Sequence, residues 1–220
     1  REIAEIRNEV KAWPLVLRED QRITYRSPSN IALLKYWGKR PGQLPVNPSL
    51  SFSLTKAFTE TTLIAVQNAP QKGLYDLNED PDHPFLIKIR PFWEKVQQEI
   101  PLLTGLRISI LTQNSFPHGA GIASSASGFS ALALAILDLA QTLSKRQLAR
   151  AEFLKYASNL ARMGSGSAAR SIYPGFTVWG ATPVYTGSSD LFASDINHQI
   201  HPDFTHLQNA ILLVSAREKS

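Results

Sequence analysis

The sequence contains no cysteine, and this absence excludes disulfide bonds, thiolate nucleophiles and cysteine-ligated zinc from the chemistry of the chain. It also lacks an uninterrupted apolar run of the roughly 18 to 20 residues that a membrane span requires. No basic flank followed by a short apolar segment opens the chain, so no secretory signal is expected. These absences favour a cytoplasmic protein with no membrane partner.

The basic residues lack the clustering that nucleic-acid binding requires. A formal net charge of +5 would suit either nucleic acid or a small anionic substrate. The positive side chains are dispersed, however, and adjacent ones form only short pairs such as Lys39-Arg40 and Lys145-Arg146. Because a clustered basic surface is typical of nucleic-acid recognition, no nucleic acid is expected as a partner.

The five histidines are not spaced as metal ligands usually are. His198 and His201 lie three residues apart, but their segment is polar and has no carboxylate cluster in helical phase with them. The pattern therefore predicts no metal site built on these histidines.

The composition, with 43% hydrophobic and 19% charged residues, is that of a globular protein long enough to bury a core. Strand and helix patterns are mixed without regular alternation, which favours an α+β fold. We predict an N-terminal lead-in, 1–25, and one domain, 26–220. The predicted helices are 1–20, one within 87–100 that starts after Pro91, 124–143 and 148–160. The predicted strands are 22–26, 49–54 and 59–66 (a hairpin), 105–112, 176–179 and 210–214. A turn and helix cap is predicted at 27–30, a short helix or helical loop at 31–39, and exposed loops at 44–48 and 68–84.

The most distinctive segment is a run of glycines and small residues that leads into the helix predicted from Ser124. Glycine lets the backbone approach a ligand closely, and a helix N-terminus offers unpaired N–H groups and partial positive charge to a phosphate. The Gly-Lys-Ser/Thr ending of a Walker A loop is missing. A serine-capped helix start is the alternative, but two consecutive serines favour phosphate. The residues predicted to bind nucleotide are Pro117, Gly119, Ala120, Gly121, Ala123, Ser124 and Ser125, with Ser125 also near Mg²⁺.

A second small-residue turn, Gly164-Ser165-Gly166-Ser167, precedes Arg170. A guanidinium can bind a carboxylate or a phosphate through two parallel hydrogen bonds. Taken alone, Arg170 is more typical of a surface ion pair than of a ligand clamp.

A third cluster places Lys35 and Lys39 on either side of Tyr36 and Trp37. A half-buried aromatic anchor with solvated lysines is the simpler interpretation of this cluster in isolation. The functional alternative is a charged and aromatic wall around an anionic substrate.

Taken in this order, the clusters resemble the GHMP family of small-molecule kinases, and within it the diphosphomevalonate decarboxylase branch. The matching segments are 27–39 with its run NIALLKYWGK, its continuation 44–51, then 114–130, and 161–171. The resemblance spans about 26–215. The stretch 188–204 and the spelling SPSNIAL look like the bacterial, Bacteroidetes-like subgroup. The resemblance implies a GHMP-kinase-like N-terminal domain of the ribosomal protein S5 domain 2-like fold.

The resemblance also implies a reaction. Members use ATP and Mg²⁺ to phosphorylate the tertiary hydroxyl of mevalonate diphosphate, and loss of phosphate and CO₂ then gives isopentenyl diphosphate, a step of the mevalonate pathway of isoprenoid biosynthesis. Such an enzyme must bring two anionic chains together and screen their repulsion. A homodimer is implied in the same way.

Site residues carry over by position in the matching segments. Arg170, Lys39 and Ser125 are the implied catalytic residues, and Arg170 is expected to orient the carboxylate that leaves. The implied substrate-binding residues are Ala32, Lys35, Tyr36, Trp37, Lys39, Ser165, Ser167 and Arg170.

Two departures from the family pattern matter. Ala169 stands where the family often has cysteine, which its neighbours should tolerate. The segment 210–220 resembles the strand that leads into the family's second half, where an aspartate acts on the tertiary hydroxyl, so the C-terminal domain is expected to be largely absent and the chain to be a fragment. A phosphomevalonate decarboxylase, a mevalonate kinase-like relative or a non-catalytic nucleotide- or metabolite-binding module remain the alternatives.

Overall fold

The computed structural model describes residues 1–117, 122 and 124–210. Four α-helices occur in this part of the chain: α1 (Ile3–Lys11), α2 (Leu86–Glu99), α3 (Ser124–Ser144) and α4 (Arg150–Gly164). The strands in the same residues are β1 (Gln21–Leu34), β2 (Lys39–Arg40), β3 (Leu44–Pro45), β4 (Ser49–Val66), β5 (Gly73–Leu77), β6 (Arg107–Asn114), β7 (Phe176–Trp179) and β8 (Ala193–Asp195). Short 3₁₀ turns are Pro41–Gln43, Pro101–Gly105, Gly166–Ile172, Asn197–Gln199 and Pro202–His206.

One mixed sheet organises the described residues, and β4 is its central strand. The order β5-β6-β4-β7-β8 forms one path, and β1 pairs antiparallel with β4. Only β5 and β6 pair in parallel in the described sheet, and α2 lies between them along the chain. Because neighbouring strands are both parallel and antiparallel, the α+β prediction is confirmed.

The strand β4 is one continuous element, so the predicted hairpin of 49–54 and 59–66 is wrong. Its first part pairs with β7, and its second part pairs with β6. Against β1 the register jumps: Pro28 faces Phe58 while Asn30 faces Ser53, so Leu54–Ala57 bulge opposite Ser29. The bulge bends the strand without ending it.

The predicted turn at 27–30 and helical segment at 31–39 are also wrong, because β1 continues to Leu34. Serine and asparagine favour turns when their side chains bond the local backbone. Here the side chains of Ser27 and Asn30 bond distant partners instead, which leaves the backbone free to pair with β4. Pro28 is tolerated because it lies at the register jump.

Helices cover the sheet, and the core lies between the two layers. The central helix α3 packs on β1, β4 and α4, and the smaller α1 and α2 pack on α4. By length and composition α3 could cross a membrane, but 78% of its apolar window is buried in the molecule, as in a core helix. The predicted helix 124–143 is therefore confirmed, in the role of a core element.

The remaining elements differ from prediction mainly at their ends. The N-terminal helix ends at Lys11, earlier than the predicted 1–20. Four apolar side chains from this helix and the residues just after it belong to the main core: Ile3, Ile6, Val10 and Trp13. The helix α2 contains Pro91 instead of starting after it, and α4 runs over Arg150–Gly164. Part of the predicted loop 68–84 is β5. Of the predicted strand 210–214, only Ala210 belongs to the described residues.

Candidate active site

Arg170 is buried in the Gly166–Ile172 turn and is held by neutral groups. Its side chain is only 3% exposed. Its Nη1 donates to Ser49 Oγ at 2.6 Å, and Nε and Nη2 donate to Asn30 Oδ1 at 3.4 and 3.2 Å. Asn30 is itself fixed, since its Nδ2 donates to Ser171 Oγ at 2.7 Å and to the Ser167 carbonyl at 3.2 Å.

The charge of Arg170 has no counter-ion within the described part of the chain. Burial lowers the pKa of Arg170 to about 10, opposed only by the nearby Tyr36 hydroxyl. The group stays protonated at neutral pH, although desolvation makes its charge costly. A buried cation with rigid neutral partners is suited to receive an anion, and the surface ion-pair interpretation of Arg170 is wrong.

Tyr36 connects this arginine to the lysine-rich loop. The Arg170 guanidinium lies 5.7 Å from the centre of the Tyr36 ring, and Lys39 Nζ lies 5.9 Å from it. The ring also packs edge-on against Trp179 at 5.1 Å between centroids. Three of the predicted site residues therefore meet around one aromatic ring, with both cations close to it.

Lys35 and Trp37 belong to the same loop but extend towards solvent. Trp37 is 76% exposed, and Lys35 is exposed as well. Asn47 shapes the loop: its Oδ1 accepts from Trp37 N at 2.6 Å, and its Nδ2 donates to the Lys35 carbonyl at 3.1 Å. The loop thus presents a lysine and an aromatic side chain without holding either against the body.

The other predicted substrate residues border Arg170. Ser165 and Ser167 are half-buried, and their hydroxyls are 3.1 Å apart. Ala32 pairs with Ser51 in β1 and β4, on the strand face that it shares with Asn30. The Ser167 carbonyl accepts from Asn30 Nδ2, so the turn that carries both serines is tied to the residue that orients Arg170.

A cavity of about 700 Å³ opens beside the N-terminus of α3. Ser124, Ser125 and Gly128 of the first turns of α3 form part of its wall. Apolar side chains form another part: Leu77, Ile89, Ile110, Phe129 and Leu132. Phe85 and Ile122 also line it, and polar or basic groups complete it: Thr59, Thr61, Asn78, His83, Lys88, Thr112, Gln113 and Asn114. An apolar cavity of this size that ends at a helix N-terminus suits a nucleoside with its phosphates.

No acidic side chain lines the described part of this cavity. The hydroxyls of Ser124 and Ser125 are oxygen donors, which Mg²⁺ prefers, but two hydroxyls do not hold the ion alone. The donors present therefore fit a magnesium ion that arrives with a nucleotide and keeps phosphate oxygens as ligands. Of the predicted nucleotide residues, Gly119, Ala120, Gly121 and Ala123 lie outside the described residues, and Pro117 ends the described segment before them.

Several contacts of the site were not predicted from the sequence. Asn30 was interpreted as part of a turn, although it is the residue that orients Arg170. Ser49 and Trp179 carry no local signal, because each meets its partner only through the pairing of β4 with β7.

Fold and site together define an α+β domain with a buried arginine that the described residues do not neutralise and with a cavity at the N-terminus of a central helix. The family model of the diphosphomevalonate decarboxylase-like N-terminal domain matches residues 27–190. The chain belongs to this family.

Full-length relatives are about twice as long as the chain. Diphosphomevalonate decarboxylase mvd1 of Aspergillus fumigatus is 36% identical over 214 residues, which cover 90% of this chain and 50% of that protein. The mevalonate diphosphate decarboxylase of Enterococcus faecalis, solved in a study of mevalonate diphosphate-mediated ATP binding, has a TM-score of 0.63 at 34% identity and covers 82% and 53% of the two chains. A structure of MDDEF in complex with MVAPP, AMPPCP and magnesium has a TM-score of 0.62 at 34% identity and covers 82% and 52%. The chain spans about half the length of the curated relatives it matches.

Proposed function

We propose that the chain supplies the nucleotide-binding and carboxylate-binding half of an ATP-dependent decarboxylase of mevalonate diphosphate. The observation that carries the proposal is Arg170, a buried guanidinium with neutral partners beside Tyr36 and Lys39. The similarity to proteins solved with mevalonate diphosphate and with an ATP analogue and magnesium supports the same substrates. The products are isopentenyl diphosphate, ADP, phosphate and CO₂.

The reaction requires one phosphoryl transfer and one fragmentation. The γ-phosphoryl group of ATP is transferred to the tertiary hydroxyl, whose proton goes to a base that no residue of this chain is assigned to be. The bond from the tertiary carbon to the new phosphate then breaks, and phosphate leaves with the electron pair. The carbon–carbon bond to the carboxylate supplies the electrons of the new double bond as CO₂ departs.

Arg170 is proposed to hold the carboxylate in the geometry from which CO₂ leaves. Asn30 and Ser49 bind three nitrogens of the guanidinium, so its direction is fixed before substrate arrives. A preorganised charge in a buried site stabilises the reacting anion more than a solvated one would. Ser165 and Ser167 are proposed to donate to the same substrate.

The diphosphate is proposed to bind the loop that carries Lys35 and Lys39. Both lysines are exposed, unlike Arg170, and the strongly hydrated ammonium suits a phosphate without demanding fixed geometry. Tyr36 and Trp37 are proposed to form the aromatic wall of this subsite.

The nucleotide is proposed to lie in the cavity beside α3, with its phosphates at Ser124 and Ser125. When bound, Mg²⁺ neutralises phosphate charge, and Ser125 is its proposed protein ligand. A homodimer, a cytoplasmic location and the absence of membrane and nucleic-acid partners belong to the same proposal, supported by the family resemblance.

The test is the release of CO₂ and ADP from mevalonate diphosphate, in the presence of ATP and Mg²⁺, by the product of the longest open reading frame that encodes this chain. We expect equal amounts of both products, and neither from Arg170→Ala, which should still bind ATP in calorimetry. Mevalonate and mevalonate phosphate serve as comparison substrates. ADP without CO₂ would indicate a kinase, faster turnover of the monophosphate a phosphomevalonate decarboxylase, and binding of both ligands without turnover a binding module.

A further inference from the structure

The loop that joins β6 to α3 has two ends, and both meet the hydroxyl of Thr59 on β4. Thr59 Oγ1 lies 2.7 Å from Asn114 Oδ1, at the last residue of β6. The same oxygen lies 2.6 Å from Ser127 Oγ, in the first turn of α3. One side chain therefore bridges the entry and the exit of the loop.

The Thr59 hydroxyl is hydrogen-bonded on both sides. Its proton is donated to Asn114 Oδ1, so Thr59 Oγ1 is left to accept from Ser127 Oγ, which also donates to the Ser124 carbonyl at 3.3 Å. Ser127 in turn accepts from Ser29 Oγ at 3.2 Å. Ser29, Ser127 and Thr59 are each at most 2% exposed, so water does not replace a lost partner easily.

Ser115 forms a second connection one residue further into the loop. Its backbone N donates to the Phe58 carbonyl at 2.9 Å, and its Oγ accepts from Phe58 N at 2.9 Å. The same Oγ donates to the Lys56 carbonyl at 2.8 Å, within the bulge of β4. Three hydrogen bonds thus join the start of the loop to β4 next to Thr59, two at Phe58 and one at Lys56 in the bulge.

We propose that Thr59 is the positioning residue of the phosphate loop: its hydroxyl fixes the distance between β6 and the first turn of α3, so that the helix N-terminus faces the nucleotide. Ser115 supports the same geometry from the β4 bulge. This inference rests on the proposed function only in assuming that the loop and α3 bind the phosphates of ATP. Thr59 also lines the cavity, but its hydroxyl is bonded to Asn114 and Ser127, so we assign it an action through the loop and no part in the chemistry. Ser127 does not line the described cavity, so Ser127→Ala separates this action from a direct contact with the nucleotide.

The contrasting possibility is that Thr59 only stabilises the core. Val replaces Thr with nearly the same shape and removes both hydrogen bonds, whereas Ser keeps the hydroxyl and loses a methyl group. A purely structural residue would lower the unfolding temperature in Thr59→Val without changing the affinity of the folded protein for ATP. A positioning residue changes that affinity, and Ser restores it.

Thr62 is the matched control. It lies on the same strand, is buried, and has its hydroxyl 2.8 Å from Thr24 Oγ1, but it faces the opposite side of the sheet from Thr59. Thr62→Val therefore removes a comparable hydrogen bond at a place remote from the loop.

The experiment is calorimetric titration of each folded variant with a non-hydrolysable ATP analogue and Mg²⁺. We expect Thr59→Val to bind about tenfold more weakly, the equivalent of one lost hydrogen bond, with Thr59→Ser and Thr62→Val close to the unchanged chain. Ser127→Ala removes one arm of the bridge and should weaken binding by a smaller factor, which tests the inference if Thr59→Val does not fold.

Unchanged affinity in Thr59→Val, or in Ser127→Ala where Thr59→Val is unfolded, would overturn the inference, as would equal weakening in Thr62→Val. In these cases the unchanged chain still binds the analogue, so the proposed function stands. Failure of the unchanged chain to bind the analogue would instead overturn the proposed nucleotide site, and the inference with it.

Discussion

Arg170 shows how a single side chain can be arranged for binding at a cost to stability. Its guanidinium is buried among the oxygens of Asn30 and Ser49, and burial lowers its pKa to about 10. Neutral partners satisfy hydrogen bonds but do not neutralise the charge. An arriving carboxylate supplies the missing charge in a site that is already shaped for it.

Arg170→Met tests this arrangement. Removing the desolvated charge should raise the free energy of unfolding. Leaving Asn30 Oδ1 without its donors should lower it by about 1 to 3 kcal/mol. We expect the two effects to offset, so the free energy of unfolding should stay within about 1 kcal/mol of its starting value. The affinity for mevalonate diphosphate, measured by calorimetry, should fall by about a hundredfold or more.

Arg162 provides the matched comparison because it is 4% exposed and burial likewise lowers its pKa to about 10. Its donors bind structural groups: the Leu191 and Gly42 carbonyls and Asn159 Oδ1. Arg162→Met should therefore lower the unfolding temperature more than it lowers affinity. The opposite ranking of the two variants would show that Arg170 is the structural residue.

At this scale the sequence identified the arginine but not the residues that fix it. Arg170 and its serine-rich turn stand out locally, as do the lysines near Tyr36. Asn30 and Ser49 lie 140 and 121 positions away along the chain, and only strand pairing brings them to the guanidinium. No local pattern contains that information.

Among the elements, the Gly166–Ile172 turn is packed so closely that its first residue has no room for a side chain. A Cβ on Gly166 would lie 2.7 Å from Trp179 Cη2 and 3.4 Å from the Tyr36 hydroxyl. The turn that carries Arg170 and the pair formed by Tyr36 and Trp179 are therefore fitted to each other through this glycine.

Gly166→Ala should disturb both the Gly166–Ile172 turn and the packing of Tyr36 against Trp179. Because Trp179 is fully buried and cannot move away, we expect a loss of about 1 to 3 kcal/mol in the free energy of unfolding. Tyr36 must shift as well, so affinity for mevalonate diphosphate should also fall. Chemical denaturation and calorimetry measure the two effects. Gly105→Ala is the control, since no atom lies within 4 Å of a Cβ at that exposed position, and equal effects in both variants would contradict the argument.

Element predictions succeeded where hydrophobic pattern decides and failed where pairing overrides local preference. The apolar run that became α3 and the buried β7 were predicted because burial alone specifies them. The polar end of β1 was not, because its serines and asparagine bond partners on α3 and on the Gly166–Ile172 turn, which are distant in sequence. The single course of β4 was missed because Lys56 and Ala57, which are poor strand formers, interrupt its run of β-forming residues at the bulge.

Across the whole molecule, three tyrosines are held neutral by their surroundings. Burial, with Asp138 nearby, raises the pKa of Tyr25 to about 12. Burial also raises the pKa of Tyr156, beside Glu99, and of Tyr173, near Asp195, well above the ordinary value. All three side chains would have to ionise next to a carboxylate and away from water.

In an alkaline titration these three tyrosines should ionise at higher pH in the folded chain than in the unfolded chain. Between pH 10, the ordinary pKa, and the raised values, the unfolded chain binds fewer protons than the folded one, so the stability contributed by these groups falls as pH rises. Ultraviolet absorbance should show three tyrosines that ionise only above the ordinary range or on unfolding, and Tyr156→Phe should reduce that group by one. Coincident titration curves for the native and the urea-unfolded chain would contradict this expectation.

The central helix α3 has a further consequence for the molecule as a whole. Its apolar surface is long enough to span a bilayer and is concealed only because the sheet and α4 cover it. When thermal motion or denaturant uncovers this helix, each copy of the chain exposes the same apolar surface. Aggregation through that surface then competes with refolding. The working lifetime of the protein is then governed by how rarely α3 is uncovered, that is, by the rate of unfolding and not by the equilibrium between the folded and unfolded states.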